Sequence, residues 1–429
     1  PCSVKDKNMN SNRHWIKIVS LSTCGSFLDF FDFSIFALFA NFIGQVFFTE
    51  DSYLLGLVKS FGVLAVGYLA RPLGGFLFGW WGDRQGRKKV FVYSILTMAL
   101  STLLIGLLPG RETVGGWAVL FLLIFRFIQG LSFGGELPGA VVFTAEHLSR
   151  YRGFGTSFII ASLNYGAAFA AIVGGLLTAL LSNSQMLAWG WRIPFFFGFL
   201  IGIIGFWVRR STAETPVFAQ LQRENRTKKH PFLHLLKSDI AAFFTGVSLT
   251  ALGSSVIAFL IFLPTYFSLF LHRPIGNVYF FTTALFLTLA LFTPIFGYLS
   301  DLVGRRIWLM TSAILVALSS FFLFELKDFW VWLWLLLPLF NAINLGCYEI
   351  AIAELFSPNI RYSGTGVCHN LGYGVFGGLG PLIYTLLFQA TNDPASPLYF
   401  LLFAAAITFT GALFLKNRMT PFSSSPNKS

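Results

Sequence analysis

Charge is what this sequence has least of. Only 11% of its 429 residues are Asp, Glu, Lys or Arg, against about 25% in an average soluble domain. A water-facing surface is not readily built from so few charges, and a soluble enzyme or structural protein is excluded on that ground. Cysteine is scarce too: Cys2, Cys24, Cys347 and Cys368 show no paired spacing, which argues against a disulfide framework or a zinc site. No G-x-x-x-x-G-K-[ST] phosphate loop occurs, so no nucleotide is expected to drive the protein directly. Neither a cofactor nor a metal is expected, and chemical catalysis is not.

What is abundant is apolar length. Hydrophobic residues make up 55% of the chain and mean hydropathy is +0.70. Runs of about 20 apolar residues recur, each long enough to cross a hydrocarbon core of about 30 Å as a helix. Reading them between polar breaks predicts spans at 18–46, 54–82, 90–109, 117–145, 154–181 and 189–208, then 240–271, 278–300, 307–326, 330–355, 364–390 and 397–415. The first run is too long for a leader's apolar core, so no cleavable signal peptide is expected. A polar stretch, 209–239, divides the spans six and six. The expected organisation is a tail 1–17, a six-helix bundle 18–208, the linker 209–239, a second bundle 240–415 and a tail 416–429.

The net charge of +12 raises nucleic acid as a partner, and the placement of the charges answers it. Of 30 Lys and Arg, four (Arg111, Arg192, Arg273, Lys327) fall in loops on one side and three (Lys59, Arg71, Arg126) inside spans; the other 23 fall on the opposite side, with both termini. This is the positive-inside bias, and it places both termini in the cytoplasm. No contiguous basic face of the kind nucleic acid needs is present; the densest run, Arg223 to Lys229, reads as a loop near anionic lipid.

The halves repeat. Gly79-Trp80-Trp81-Gly82-Asp83-Arg84-Gln85-Gly86-Arg87 follows the second span, and Gly297-Tyr298-Leu299-Ser300-Asp301-Leu302-Val303-Gly304-Arg305 follows the eighth, with the same G-x-x-x-D-x-x-G-R spacing. Ala145-Glu146 precedes Arg152 after the fourth span, and Ala353-Glu354 precedes Arg361 after the tenth. Two motifs in one order, each after an even number of spans, imply halves related by an axis along the membrane normal.

An ionisable group inside a span costs at least about 2.5–3.5 kcal/mol, so each needs a partner, a cavity or a task. At 1.5 Å per residue, Asp32 falls near the middle of the first span, with Asp29 a turn nearer the cytoplasm and Arg71 of the second span at that depth. Arg126 and Glu136 flank the midplane in the fourth span. One reading is a polar site where Arg71 and Arg126 attract an anionic or zwitterionic substrate while Asp29, Asp32 or Glu136 carries a proton. Burial favours the neutral carboxyl and a neighbouring arginine the ionised one, so a shared arginine links the two. The other reading is a permanent Asp29–Arg71 ion pair locking two spans. Arg126, Gly130 and Gly134 recur every four residues, a stripe that reads as helix packing. In the second half, Asn344 and Glu349 lie in the tenth span and His369, Asn370 and Tyr373 in the eleventh. These groups either contact a ligand or proton or cross-link helices.

The motifs resemble those of the major facilitator superfamily over essentially the whole chain, and more specifically its metabolite:proton symporters, the group that includes α-ketoglutarate, shikimate and proline-betaine permeases. Leu28-Asp29-Phe30-Phe31-Asp32-Phe33 is similar to that family's first-span Glu-Trp-Tyr-Asp-Phe, with Asp29 in place of Glu. Ala70-Arg71-Pro72-Leu73-Gly74-Gly75, Gln129-Gly130 through Gly134-Gly135-Glu136, and Trp189-Gly190-Trp191-Arg192-Ile193-Pro194-Phe195 resemble its second-, fourth- and sixth-span signatures. Glu354-Leu355-Phe356, Arg361-Tyr362, Asn370-Leu371-Gly372 and Phe376-Gly377-Gly378 resemble its tenth- and eleventh-span ones, His369 standing where members tend to carry an aromatic.

The resemblance implies an all-α integral membrane fold of twelve helices in two pseudo-symmetric bundles, monomeric, in a bacterial inner membrane, moving a small carboxylate or zwitterion with protons by alternating access. An exporter of a siderophore, drug or metabolite is the alternative, and a non-transporting sensor a third reading. The polar end from Lys416 to Ser429 lacks the coiled coil of some osmosensing relatives, so osmosensing by that device is not expected. The resemblance also implies a cytoplasmic latch: Asp83 capping the eleventh span near Gly364, Asp301 capping the fifth near Phe154, Glu146 with Arg87 and Arg152, and Glu354 with Arg305 and Arg361. The alternative is that the basic loops only orient the chain.

Overall fold

A helix in hydrocarbon satisfies all its backbone hydrogen bonds internally, and an apolar run of span length has no other way to cross. The computed structural model describes residues 19, 23, 25–49, 52–85, 87–148, 150–210, 240–269, 275–325, 331–356 and 361–415. Among these residues the secondary structure is helical, without a strand. We label α1 Gly25–Leu38, α2 Ala40–Phe47, α3 Tyr53–Gln85, α4 Arg87–Leu107, α5 Gly116–Gly134, α6 Glu136–His147, α7 Arg152–Leu180 and α8 Ile193–Arg210. There follow α9 Ile240–Leu269, α10 Ile275–Val303, α11 Arg305–Glu325, α12 Val331–Leu355, α13 Arg361–Gly372, α14 Gly380–Thr391 and α15 Pro397–Phe414. Each of the twelve expected spans falls on one of these helices or on a consecutive pair. Ten helices among the described residues are long and apolar enough to cross a membrane, and the bent pair α1–α2 makes eleven; the apolar part of α4, Val92–Leu107, is shorter.

The surface is inverted relative to a soluble protein. Leu180, Phe414 and Trp117 are 78%, 70% and 63% exposed, whereas Asp32, Arg71, Arg126, Glu349 and His369 are buried. In water such an arrangement would be unfavourable on both counts; in lipid the exposed apolar side chains are at home.

Two seams join the halves. The most extensive helix contact is α7 with α10, and α3 packs along α13 and the segment after it. Gly297 of α10 and Gly153 of α7 make the first seam tight: a Cβ on Gly297 would lie 2.5 Å from the Ser157 hydroxyl and 2.7 Å from the Gly153 carbonyl oxygen. A side chain at the motif's first glycine would not fit there. Its second, Gly304, turns the chain from α10 into α11 at φ 105°, a conformation that a side chain would strain.

Three local features were not foreseen. The first span bends by 60° between α1 and α2. There the Leu38 carbonyl accepts a hydrogen bond from the Tyr279 hydroxyl of α10 at 2.8 Å, an outside donor of the kind that accompanies helix kinks. The fourth span is interrupted at Gly135, and the eleventh contains a π-helical segment, Tyr373–Gly378. Wide turns of that type recur at functional sites.

Candidate functional site

On the N-terminal side, helix packing sets the site. Gly130 and Gly134 of α5 lie against α3 so closely that a Cβ on either would overlap the carbonyl oxygen of Gly67 or Arg71. The four-residue stripe is a packing face. The contact brings two buried guanidinium groups around one ring: Arg71 lies 4.3 Å and Arg126 4.2 Å from the centre of Phe33. Tyr68 and Phe133 pack on Arg71 at 3.9 Å each, and Phe36 on Arg126 at 4.4 Å. Ring faces attract the cations but accept no strong hydrogen bond. Arg71 Nε, Nη1 and Nη2 and Arg126 Nε and Nη2 are buried with no hydrogen-bond partner among the described residues. Asp29 acts on Arg71 electrostatically, and among the described residues no hydrogen bond joins them.

Asp32 is held differently. Its Oδ2 accepts from the Thr102 hydroxyl at 2.8 Å and from Gln129 Nε2 at 2.5 Å, while Gln129 Oε1 accepts from Arg126 Nη1 at 2.7 Å. Gln129 thus stands between the carboxylate and the guanidinium, joining them through one amide. The sequence reading assigned no role to Gln129, Thr102, Tyr68, Phe33, Phe36 or Phe133. Gln129 lies three residues from Arg126, on one helix face, and that spacing was the available signal. Asp29 and Glu136 are buried, at 2% and 3% exposure.

On the C-terminal side, Glu349 of α12 and Nδ1 of His369 on α13 form a tight buried pair. The imidazole stacks on Tyr373 at 4.4 Å with the rings 19° apart, and the Tyr348 hydroxyl donates to that of Tyr373 at 3.2 Å. Glu349 Oε2, His369 Nε2, Asn370 Oδ1 and both side-chain polar atoms of Asn344 are buried without a partner among the described residues. The two clusters meet at the α3–α13 seam. Asn370 Nδ2 donates to the Gly134 carbonyl of α5 at 2.6 Å, and the Tyr373 phenol stands within electrostatic reach of Arg71.

At the expected cytoplasmic end, Asp301 accepts from the backbone N–H of Gly153 at 2.9 Å and of Phe154 at 2.8 Å. It caps α7, where the helix dipole favours a negative charge. Arg305 joins Asp301 at 2.6 Å to Glu354 at 3.3 Å. One ion pair was not among those expected: Arg361 Nη1 lies 3.6 Å from Glu146, across the halves, while Glu354 also acts on Arg361 electrostatically. The reason is topological: the α3–α13 seam brings the start of α13 against α6. The Tyr362 hydroxyl also crosses, to the Gly135 carbonyl at 2.8 Å. Arg152 donates to the Leu148 carbonyl at 2.8 Å. The first latch lies outside this description: Gly86 is not among the described residues, and the side chains of Asp83 and Arg87, with Gly79, are not described.

The sequence matches the family described as Major Facilitator Superfamily over residues 23–275 and 271–429. The chain belongs to the major facilitator superfamily. It is 30% identical over 434 residues to the proline/betaine transporter of Escherichia coli (strain K12), covering 97% of this chain and 86% of the relative. Identity to the glycine betaine/proline/ectoine/pipecolic acid transporter OusA of Dickeya dadantii (strain 3937) is 30% over 433 residues, with the same coverage. The proton:xylose symporter XylE bound to 6-bromo-6-deoxy-D-glucose shares the fold at a TM-score of 0.76 and 16% identity, with 94% of this chain and 95% of that one covered. In its partially occluded inward-open form XylE from E. coli superposes at 0.74. This is a multi-pass membrane carrier of the superfamily, and not an enzyme.

Proposed function

We propose that the protein is a proton-coupled symporter that takes up a small zwitterion or carboxylate across a bacterial inner membrane. In this reading all twelve spans cross, the termini are cytoplasmic, and bundles 18–208 and 240–415 rock about the site between them, linked by 209–239. The observation that carries the proposal is the pair of buried guanidinium groups with unmet donors, one of which, Arg126, is joined through Gln129 to the buried Asp32 carboxylate. Asp29 and Asp32 act electrostatically on Arg71 and Arg126 but bond none of their unmet nitrogens; a buried ion needs hydrogen-bonding partners as well as counter-charge, and a substrate carboxylate supplies them. Asp32, sharing Gln129 with Arg126, then takes up the coupling proton as the substrate's charge arrives at the guanidinium. The relatives support this, since the proteins they are named for carry proline and betaine.

The latch residues tie the proton and substrate site to access. Asp301, Arg305, Glu354, Glu146 and Arg361 hold the two halves together at one end of the seams, and their release would open it. A ligand then changes access only through the difference in its affinity for the two states.

Uptake of labelled betaine, proline and organic acids into proteoliposomes with an inward pH gradient tests the proposal. Accumulation that collapses when the gradient is dissipated, with alkalinisation of the outer medium on substrate addition, is the expected result. Gradient-independent equilibration would reject coupling, and absence of flux for the whole panel would reject the substrate class.

A further inference from the structure

The two sides of the α3–α13 seam carry opposite unmet demands. On one side the partnerless atoms are the five cationic nitrogens of Arg71 and Arg126. On the other, the charged one is a carboxylate oxygen, Glu349 Oε2, with Asn344 Oδ1 and Nδ2, Asn370 Oδ1 and His369 Nε2 beside it. Buried polar atoms are ordinarily satisfied. A single ligand that fills both sets is dipolar, with a carboxylate toward the arginines and a positive end toward Glu349.

In the structure Glu349 has a surrogate for that positive end, because its Oε1 is paired with His369 Nδ1. One proton shared between the two leaves the pair neutral, whether it rides on the imidazole or the carboxyl; without it the pair carries a single negative charge. The aromatic walls suit a cation as well, since Tyr348 and Tyr373 flank the imidazole, with ring centres 6.3 Å and 4.4 Å from it, and ring faces attract cations.

We propose that the Glu349–His369 pair is the receptor for the positive end of a zwitterionic substrate. This rests on the symporter reading above and adds to it the orientation of the substrate. Among the described residues Tyr348 of α12, Cys368 of α13 and Tyr373 of the π segment face Glu349, and Tyr68 and Arg71 of α3 face Tyr373. Glu136 lies on α6, which packs on α13; α9 presents the Thr250 hydroxyl near Gly372 and packs Ser254 against Gly377. Asp301, Arg305 and Glu354 are engaged in the latch, where α10 and α11 meet α12.

The test compares two ligands of one shape that differ by the positive charge: glycine betaine and its carbon isostere, 3,3-dimethylbutanoate. Equilibrium binding of each to the purified full chain is measured at one pH. Both ligands load the arginines and Asp32 alike, so the ratio of their affinities isolates the Glu349 side. That ratio is expected to favour betaine by about tenfold, and Glu349→Gln should bring it close to one. A ratio near one in the unmodified protein, or a Glu349→Gln ratio equal to that of the unmodified protein, would overturn the inference. Binding of neither ligand would instead remove the symporter reading beneath it.

Discussion

Asp301 reaches Gly153 across 148 residues of sequence, its Oδ1 accepting the backbone N–H at 2.9 Å and so tying the end of α10 to the start of α7. A charge at a helix N-terminus contributes about 0.3–2 kcal/mol, and this one is also buried against Arg305. Asp301→Asn keeps an acceptor of similar shape and removes the charge. The ratio of inward-open to inward-closed protein should rise about tenfold, for a change of about 1.4 kcal/mol. Spin-label distances between the cytoplasmic ends of α7 and α10 would measure it, alongside slowed uptake and unchanged membrane insertion. By the internal repeat, Asp83→Asn should act in the same direction. Unchanged distances and normal uptake in both variants would leave the motif only its role in orienting the chain.

Gly134 packs against the Arg71 carbonyl of α3 with no room for a side chain. Gly134→Val must therefore separate α3 from α5, and overpacking of this kind typically costs about 1–3 kcal/mol. The purified variant should melt several degrees lower and bind substrate weakly, because both arginines are positioned by this contact. A variant with unchanged thermal stability would show that the helices adjust without loss.

The scaffold was legible in the sequence because lipid permits so little else. An apolar run bounded by charges has one solution, and the predicted spans fall within a few residues of the observed helices, as with 330–355 against Val331–Leu355. The Asp301 cap was legible because spacing is local: Gly297, Asp301 and Gly304 lie on one short segment. The site was legible only in height. Counting residues gives the depth of Arg71 and Arg126 but not the direction they face, which depends on the glycine contacts of α3 with α5. Hence the shared Phe33 ring and the bridging Gln129 were missed. Glu146 was paired with Arg87 and Arg152 of its own half, whereas Arg361 reaches it from the other half through tertiary packing. The π turn at Tyr373–Gly378 had no sequence signal beyond its glycines.

Asp32 is positioned by Thr102 and Gln129, and Arg126 by the same amide. If Asp32 carries the coupling proton, Asp32→Asn should still exchange labelled for unlabelled substrate across the membrane and should no longer accumulate it. A one-unit pH gradient supports about tenfold accumulation through one coupled proton, so the readout is a fall from about tenfold to equality. Arg126→Gln, by contrast, should lose exchange as well as accumulation, since it removes a substrate contact. The opposite pattern would interchange the roles assigned to the two residues.

Gln129 gives the sharpest separation between a packing role and a relay role. Its side chain donates to Asp32 and to Thr102 and accepts from Arg126, so Gln129→Leu removes three contacts at nearly constant volume. A buried group that loses its partner costs about 1–3 kcal/mol, which corresponds to about tenfold to a hundredfold in substrate affinity or transport rate. Gln129→Glu retains the acceptor for Arg126 and places a second carboxyl beside Asp32. If the amide only fills space, both variants should transport at the unmodified rate. If it links the proton site to the guanidinium, Gln129→Leu should lower both affinity and pH-driven accumulation. Gln129→Glu should then restore affinity, through its contact with Arg126, while accumulation stays low. Matched binding and accumulation assays on these two variants distinguish the outcomes, because a structural defect would move both quantities together.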